Sequence, residues 1–283
     1  MFHFTLAYSM SKFFVRDDLG LRVLTDNSYK AIDEGAYNSE KYSFYTHESI
    51  SLKRRILSCL HAPLITEIKF SSPSSGEIVD KSKTKLLEIA STMLAAGSIS
   101  LSIVTQPHLF KGSIEYLAMI RKTTNVPLLM KDVIVSETQI DAAKRIGSDC
   151  ILLIKSIFDH DLAEGSIDKF ADYATKKGLQ IILEVHSEEE FEEALGFKGI
   201  DRSTLIGINN RDLNSLKVDT QTTTRLLANH DKGKSIVISE SGINTASEVK
   251  LLRKAGADAF LVGTSIMQSN DIASKVSELY LSL

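Results

Sequence analysis

The feature that most constrains how this chain folds is a short apolar run that ends in polar or charged residues and recurs along the sequence. In residues 126–132 (VPLLMKD), three large apolar residues follow a proline and the run stops at Lys131 and Asp132. A run of this length and composition is typical of a strand buried on both faces. The same pattern predicts strands at eight places, over residues 64–70, 99–105, 127–132, 150–155, 179–185, 204–209, 235–240 and 257–263.

Helix-length amphipathic segments separate these runs, and the junctions between them follow a consistent chemistry. Capping boxes that can begin a helix are predicted at three places: Ser136 with Gln139, Ser187 with Glu190, and Thr245 with Glu248. Glycines suited to a left-handed helix C-cap precede four strands: Gly97, Gly147, Gly178 and Gly256. Residues 144–149 (KRIGSD) and 253–258 (RKAGAD) share one pattern, which predicts two equivalent helix-to-strand joints.

Strands that alternate with helices indicate a parallel sheet, and the length of the chain allows that sheet to close. With 283 residues, of which 43% are hydrophobic, the chain is long enough for one large domain. We therefore predict an α/β fold, a (β/α)8 TIM barrel over residues 48–283 that includes a leading helix within residues 51–60. Residues 1–47 are predicted to form an N-terminal extension of uncertain structure. An open doubly wound sheet is the alternative, but no glycine-rich dinucleotide turn follows the first strand to support it.

Composition excludes several classes of function. A formal net charge of -3 gives no support for a nucleic-acid partner. Cys59 and Cys150 form no CxxC pair and the histidines are scattered, so the sequence predicts neither a disulfide framework nor a metal site. We find no apolar run that approaches the roughly 18–20 residues of a membrane span and no secretion signal. The expectation is a cytoplasmic protein without a membrane partner.

The polar ends of the predicted strands are the candidates for chemistry, because all strand ends of a parallel barrel open onto one mouth. In chain order they are Glu67 with Lys69, Thr105, Lys131 with Asp132, Glu184, Asn209 with Arg211, Glu240 with Ser241, and Gly263 with Thr264. Each residue alone is more often an ordinary charge at a rim. The hypothesis of a site depends on two lysines converging with several carboxylates.

Two glycine-containing loops suggest what the mouth binds. Residues 239–242 (SESG) and 262–265 (VGTS) follow the seventh and eighth strands, where barrels often hold phosphate on loop amides. The alternative is two tight turns without a ligand. No Ser/His/Asp arrangement is evident, and His186 is predicted to be a rim or packing residue.

These groups favour acid–base chemistry on a phosphorylated small molecule. A glutamate nearby would keep a lysine protonated, so Lys131 is predicted to be a proton donor or an electrostatic clamp. Two alternatives stay open at this point. One is a Schiff-base lyase or aldolase that uses Lys131 or Lys69 as nucleophile, and the other is a non-catalytic phosphate-binding barrel.

Nine short segments carry a further signal from about residue 52 onward: residues 67–69 (EIK), 72–74 (SPS), 105–113 (TQPHLFKGS), 129–132 (LMKD), 183–186 (LEVH), 206–213 (IGINNRDL), 218–219 (VD), 239–243 (SESGI) and 260–267 (FLVGTSIM). In order and spacing they resemble the indole-3-glycerol-phosphate synthase family of tryptophan biosynthesis. The resemblance implies a barrel with a helical N-terminal extension and no metal or organic cofactor. It implies closure of the indole ring of 1-(2-carboxyphenylamino)-1-deoxyribulose 5-phosphate with loss of CO2 and water, a carbon–carbon lyase reaction.

The resemblance also implies roles for individual residues. Lys131 is similar to the general acid that protonates the substrate carbonyl, and Glu184 to its carboxylate partner. Lys69 resembles the lysine that meets the substrate carboxylate, with Glu67 assisting proton transfer. The remaining catalytic positions are Asn209 and Ser241, which position the substrate.

The substrate-binding positions implied by the resemblance fall into three groups. Phe110 matches an aromatic residue that packs on the anthranilate ring, and Glu240 and Arg211 support the catalytic set. The phosphate cradle comprises Ser72, Gly242, Gly263 and Thr264. The chain departs from the family at Phe70, Ser71, Gln106 and Val133, which affects loop details more than the reaction.

Overall fold

The strands of the computed structural model close into a barrel. The structure describes residues 19–42, 48–72, 76–77, 83–197, 204–213 and 215–283. Within these residues, eight parallel strands pair with their neighbours in sequence, and the first strand also pairs with the last. The strands are β1 (Leu64–Ile68), the short antiparallel pair β2 (Ser71–Ser72) and β3 (Gly76–Glu77), then β4 (Ser100–Val104), β5 (Leu128–Lys131), β6 (Cys150–Ile154), β7 (Gln180–Val185), β8 (Thr204–Asn209), β9 (Val237–Glu240) and β10 (Ala259–Val262). The predicted (β/α)8 barrel is confirmed, with β1 and β4–β10 as its eight strands.

Helices surround the barrel and connect its strands. In chain order they are α1 (Leu19–Asp33), α2 (Leu52–Ser58), α3 (Lys83–Ala95), α4 (Pro107–Phe110), α5 (Ile114–Arg121), α6 (Glu137–Arg145), α7 (Lys155–Asp159), α8 (Ile167–Lys176), α9 (Glu188–Leu195), α10 (Gln221–Asn229), α11 (Ala246–Ala255), α12 (Thr264–Met267) and α13 (Ile272–Tyr280). The helix predicted within residues 51–60 is α2, which ends earlier because Cys59 already has extended dihedral angles.

The strands are buried on both faces, as their apolar runs predict. Every residue of β1, β4, β6 and β8 is buried, and in β5 only the terminal Lys131 is partly exposed. Helices cover the outer face with large apolar side chains such as Phe170 and Phe191, which are fully buried. Truncating either phenylalanine to alanine would cost about 3–5 kcal/mol.

The two predicted helix-to-strand joints are equivalent in the structure. Gly147 and Gly256 both have positive φ, at 88° and 115°, a conformation that glycine adopts without steric cost. The Asp149 carboxylate accepts the Leu128 amide at 2.9 Å. Likewise, Asp258 accepts the amide of Val237 at 2.8 Å. Each joint therefore fastens the start of one strand to the preceding strand at the end of the barrel opposite the mouth.

One of the three predicted capping boxes is only half formed. The boxes at Ser136 and Thr245 are complete. Ser187 accepts from the Glu190 amide as predicted, but the Glu190 carboxylate accepts from the amide of His186 at 2.6 Å instead of from that of Ser187. The prediction of a reciprocal box is wrong here because the ring of His186, 3.5 Å from the same Glu190 oxygen, attracts the carboxylate.

Helix α1 and the turn after it lie in the segment predicted as an N-terminal extension and are attached to the barrel by polar contacts. Tyr29 donates to the carbonyl of Leu162 at 3.2 Å, and Tyr37 donates to both oxygens of Asp132 at 2.9 and 3.0 Å. The predicted boundary near residue 47 falls outside the described residues, so the division of the chain there stays a prediction. Among the described residues, no helix has the length and apolar character needed to cross a bilayer.

Candidate active site

A cavity of about 840 Å³ opens at the carboxyl ends of the barrel strands, a volume suited to a small-molecule ligand. It is lined by all the predicted site residues except Ser72 and Thr105: Glu67, Lys69, Phe110, Lys131, Asp132, Glu184, Asn209, Arg211, Glu240, Ser241, Gly242, Gly263 and Thr264. Thr105 is buried and donates to Asp132 instead. The side chain of Ser72 lies outside the described residues. Residues separated by up to two hundred positions in the sequence therefore meet in one cavity.

Lys131 lies among carboxyl groups in the cavity. Its Nζ donates to Glu184 Oε2 at 2.7 Å and lies 3.4 Å from Glu240 Oε2. Burial would lower the pKa of Lys131, but Glu184, Glu240 and Glu67 outweigh burial and raise the pKa well above its usual range. Lys131 is therefore an ammonium ion throughout the neutral range.

Glu184 is held by donors on both of its oxygens. Oε2 accepts from Lys131, and Oε1 accepts from the Asn209 amide at 3.1 Å. The His186 ring nitrogen Nε2 is 3.2 Å from Oε1 as well. Burial acts to raise the pKa of Glu184, but Lys131 and His186 outweigh it and hold the pKa far below its usual range. Glu184 is thus a fixed negative charge.

His186 is largely buried between two carboxyl groups, which the sequence pattern did not reveal. Burial would lower its pKa, but its contacts with Glu184 and Glu190 raise it to about 9. The ring lies between the Glu184 carboxylate of the cavity, 3.2 Å from Nε2, and the Glu190 carboxylate of α9, 3.5 Å from Nδ1. The prediction of a rim or packing residue missed these contacts, because they involve two glutamates. The strand pattern alone does not show that either glutamate lies beside the His186 ring.

Glu67 and Lys69 form a second pair at the end of β1. The Lys69 ammonium is 2.8 Å from Glu67 Oε1, as expected for residues two apart, which face the same way on an extended chain. A Cβ added to Gly263 would lie 2.7 Å from that same oxygen. Gly263 therefore leaves the space that the Glu67 carboxylate occupies, in addition to lining the cavity.

The loop after β9 has a strained backbone beside the cavity. Ser241 and Gly242 both have positive φ, at 67° and 79°, and such a conformation is uncommon for a serine. The buried side chain of Asn210 stabilises it by donating to the Ser241 carbonyl at 3.0 Å. Asn210 was missed in the sequence because it follows Asn209 directly and points away from the cavity, towards Thr223 and Ser239.

The N-terminal helix supplies part of the cavity wall. Gly20, Val23 and Leu24 of α1 line the cavity, and the Val23 side chain is substantially exposed there. Leu216 and Val218, in the loop after β8, are further exposed apolar residues of the lining. The α1 residues were not assigned from the sequence, because the pattern of residues 1–47 has no steady period.

Asp132 lies next to Lys131 in sequence but belongs to a separate network. Its carboxylate accepts from the hydroxyls of Tyr37 and Thr105 and from the Val133 amide. Burial raises the pKa of Asp132 to about 7, although these three donors act in the opposite direction. This network attaches the N-terminal segment to the end of β5.

Replacing Asp132 by asparagine should flatten the pH dependence of stability. The pKa of Asp132 is about 7 in the folded protein and about 3.9 in the unfolded chain, so the folded state binds the proton more tightly. Asp132 therefore contributes a free energy of unfolding that falls as pH rises across this window, by about 1.4 kcal/mol per unit at most. Urea unfolding at pH 4.5, 5.5 and 6.5 measures the difference in slope between wild type and variant.

Asp141 offers a matched control for this measurement. It also accepts from a tyrosine hydroxyl on both oxygens, that of Tyr173 at 3.0 and 3.1 Å, but on the exposed surface. Asp141→Asn should leave the wild-type slope unchanged. Equal slopes for wild type and Asp132→Asn would contradict the prediction.

Comparisons with known proteins agree with one another on a single family. A family model described as "Indole-3-glycerol phosphate synthase" matches residues 30–279. A protein of that name from Oceanobacillus iheyensis is 41% identical over 223 residues, covering 78% of this chain and 80% of the relative. One from Methanocaldococcus jannaschii is 42% identical over 219 residues, covering 77% and 78%. One from Caldanaerobacter subterraneus subsp. tengcongensis is 42% identical over 208 residues, covering 74% and 77%.

Proposed function

Because the chain belongs to the indole-3-glycerol phosphate synthase family, we propose that its cavity closes the indole ring of 1-(2-carboxyphenylamino)-1-deoxyribulose 5-phosphate. The reaction joins an aromatic carbon to the ketone carbon and expels CO2 and water. The observation that carries the proposal is the position of Lys131, whose ammonium lies 2.7 Å from Glu184 in the cavity lined by the two glycine-containing loops.

Lys131 acts as the general acid of ring closure. An aromatic carbon is a weak nucleophile, so the ketone that it attacks needs a proton on its oxygen as the new bond forms. An ammonium held in place by Glu184 can supply that proton, and such transfers contribute roughly 10²–10⁴-fold to rate. Glu184 stabilises the cation that develops on the substrate nitrogen, since it remains ionised.

Lys69 receives the substrate carboxylate that is later lost as CO2. An ammonium must hold this group during ring closure and then release it. Glu67, 2.8 Å from Lys69, keeps the ammonium in place and assists proton transfer. Asn209 and Ser241 position the substrate between the two lysines, with Arg211 and Glu240 in support.

The loops after β9 and β10 hold the phosphate. Gly242 and Gly263 allow the backbone to approach an anion closely. Thr264 adds a hydroxyl at the same rim, and Ser72 is assigned there from the resemblance alone. Phe110 and the apolar residues of α1 supply a wall for the anthranilate ring.

The geometry disfavours a Schiff-base mechanism. A nucleophilic lysine has to lose its proton, whereas Lys131 is surrounded by carboxyl groups that keep it charged. A non-catalytic phosphate-binding barrel is also disfavoured. Two lysine–glutamate pairs inside the cavity are costly to bury, and binding a phosphate does not require them.

Turnover of the phosphorylated substrate by purified protein tests the proposal. Dialysis against EDTA should leave the rate unchanged, because the proposal includes neither a metal nor an organic cofactor. We expect the fluorescence of the indole product to appear at a rate proportional to enzyme concentration, with no covalent adduct after borohydride treatment. A folded protein that binds substrate without turnover would contradict the proposal, and a borohydride-trapped adduct would favour the Schiff-base alternative.

A cytoplasmic location is part of the proposal. It is supported by the unpaired state of Cys59 and Cys150, which is usual in reducing compartments. Cell fractionation tests it, and recovery outside the cytoplasm would contradict it.

A further inference from the structure

The three carboxyl groups in contact with Lys131 and Lys69 balance these two ammonium ions only if one carboxyl group carries a proton. Glu67, Glu184 and Glu240 interact with one another and with Lys131, and Lys69 pairs with Glu67. Three carboxylates would outnumber the two ammonium ions, leaving one negative charge uncompensated in a buried setting. Burying an unpaired charge costs far more than burying a paired one.

His186 does not supply the missing positive charge, because it is already balanced. Its Nδ1 lies 3.5 Å from Glu190 Oε2, while its Nε2 lies 3.2 Å from Glu184. The imidazolium and the Glu190 carboxylate cancel each other. Arg211 also lines the cavity, but its guanidinium donates to the Leu216 carbonyl at 2.9 Å. The excess of one carboxyl group around the two lysines therefore remains.

The contacts of the three carboxyl groups identify Glu240 as the neutral one. Glu67 has an ammonium at 2.8 Å, and Glu184 has donors on both oxygens. Among the residues that the structure describes, Glu240 has one ionic partner, Lys131, at 3.4 Å from Oε2. Its Oε1 is buried, and no residue that the structure describes donates to it. A buried oxygen without a donor costs most when it is charged, so a proton resides most favourably on this group.

A glycine on the neighbouring strand creates the space in which Glu240 lies. Gly207 is two residues before Asn209 on β8, and Asn209 is in register with Glu240. A Cβ added to Gly207 would overlap Glu240 Oε1 and lie 2.9 Å from Ile182 Cγ2. Any side chain at position 207 would therefore displace the Glu240 carboxyl group from this slot.

We propose that Glu240 rests as a neutral carboxylic acid in the slot left by Gly207 and reprotonates Lys131 during the catalytic cycle. This catalytic role rests on the function proposed above. Burial together with Glu184 and Glu67 raises the pKa of Glu240 to about 8 although Lys131 opposes the shift, which agrees with a proton held at neutral pH. A neutral Glu240 also removes a charge that would repel the anionic substrate.

The proton transfers balance over one cycle. The Lys131 ammonium protonates the ketone oxygen, and the carboxylic acid of Glu240 then protonates the resulting amine. After loss of CO2, Lys131 gives a second proton to the hydroxyl group, which leaves as water. The Glu240 carboxylate takes the proton that the adjacent ring carbon loses. Solvent finally reprotonates Lys131, which accounts for the one proton that the overall reaction takes up.

Glu240→Gln is the decisive variant, since glutamine has the size of the neutral acid but cannot transfer a proton. The infrared absorption of wild type at pH 6 should contain a protonated carboxyl band that Glu240→Gln lacks and that titrates away in wild type near pH 8. Asp132→Asn is the control, because it should remove a different band, which titrates near pH 7. An unchanged protonated-carboxyl spectrum in Glu240→Gln would overturn the proposal.

Kinetics supply the second readout. Glu240→Gln should lower kcat by about 10²–10³-fold with little change in KM, and the wild-type rate should fall above pH 8. Gly207→Ala should lower kcat in the same way although it retains the carboxyl group, provided that its circular dichroism is that of wild type. Wild-type kcat in Glu240→Gln would overturn the catalytic role. The infrared result needs no substrate, so failure of this proposal is distinguishable from failure of the proposed function.

Discussion

Replacing Lys131 by methionine is expected to lower kcat for indole-ring closure by about 10²–10⁴-fold, with a much smaller change in KM. Methionine keeps much of the length of the lysine stem but cannot protonate the ketone oxygen. Binding should survive, because the loops proposed to hold the phosphate and the apolar wall remain intact. Steady-state kinetics of the purified variant, with its thermal unfolding recorded in parallel, measure the effect.

Lys155 provides the matched control. It follows the buried strand β6 as Lys131 ends the buried strand β5, and its side chain is similarly buried. However, Lys155 pairs with Asp159 and Glu193 and does not line the cavity. Lys155→Met should keep the kcat of wild type. A loss confined to KM in Lys131→Met, or equal losses of kcat in both variants, would contradict the assigned role.

Replacing Asp149 by alanine is expected to lower the free energy of unfolding by about 3–5 kcal/mol. The Asp149 carboxylate accepts from Arg121 Nη1 at 2.7 Å, and both side chains are almost completely buried. Asp149 also accepts the amides of Leu128 and Ile50, at 2.9 and 2.7 Å. The substitution would leave the guanidinium buried without a counter-charge and two amides without this acceptor.

The equivalent joint at Asp258 provides a control. It separates the free-energy cost of the unpaired buried charge from the cost of the lost amide contact. Asp258 accepts a strand amide in the same way, but its ionic partner Lys232 is partly exposed to solvent. Asp258→Ala should therefore cost only about 1 kcal/mol. Urea unfolding of both variants gives the comparison, and equal losses would show that burial of the ion pair is not the cause.

Activity gives a further check on Asp149→Ala. The joint lies at the start of β6, away from the strand ends that line the cavity. The folded fraction of the variant should therefore keep the kcat of wild type. A large fall in kcat without a fall in stability would contradict a purely structural role.

The fold was predictable because its determinants are local. Apolar runs of strand length, capping residues such as Thr245, and glycines such as Gly147 act within a few residues of themselves. The half-formed box at Ser187 shows the limit of this reasoning. There, the position of the Glu190 carboxylate depends on the ring of His186, and the capping pattern does not include that contact.

The order of strands, their joints and the set of polar groups at their ends were determined by the sequence itself, because each depends on neighbouring residues and on the period of a strand or helix. Only the tertiary structure decided how Lys155 differs from Lys131: both lysines come at the end of buried apolar runs, but Lys155 turns to Asp159 and Glu193 and does not line the cavity. It also decided that α1 forms part of the wall, that His186 contacts Glu184, and that Gly207 leaves room for Glu240. Those outcomes depend on distances between residues far apart in the chain, and they exist only once the barrel has closed.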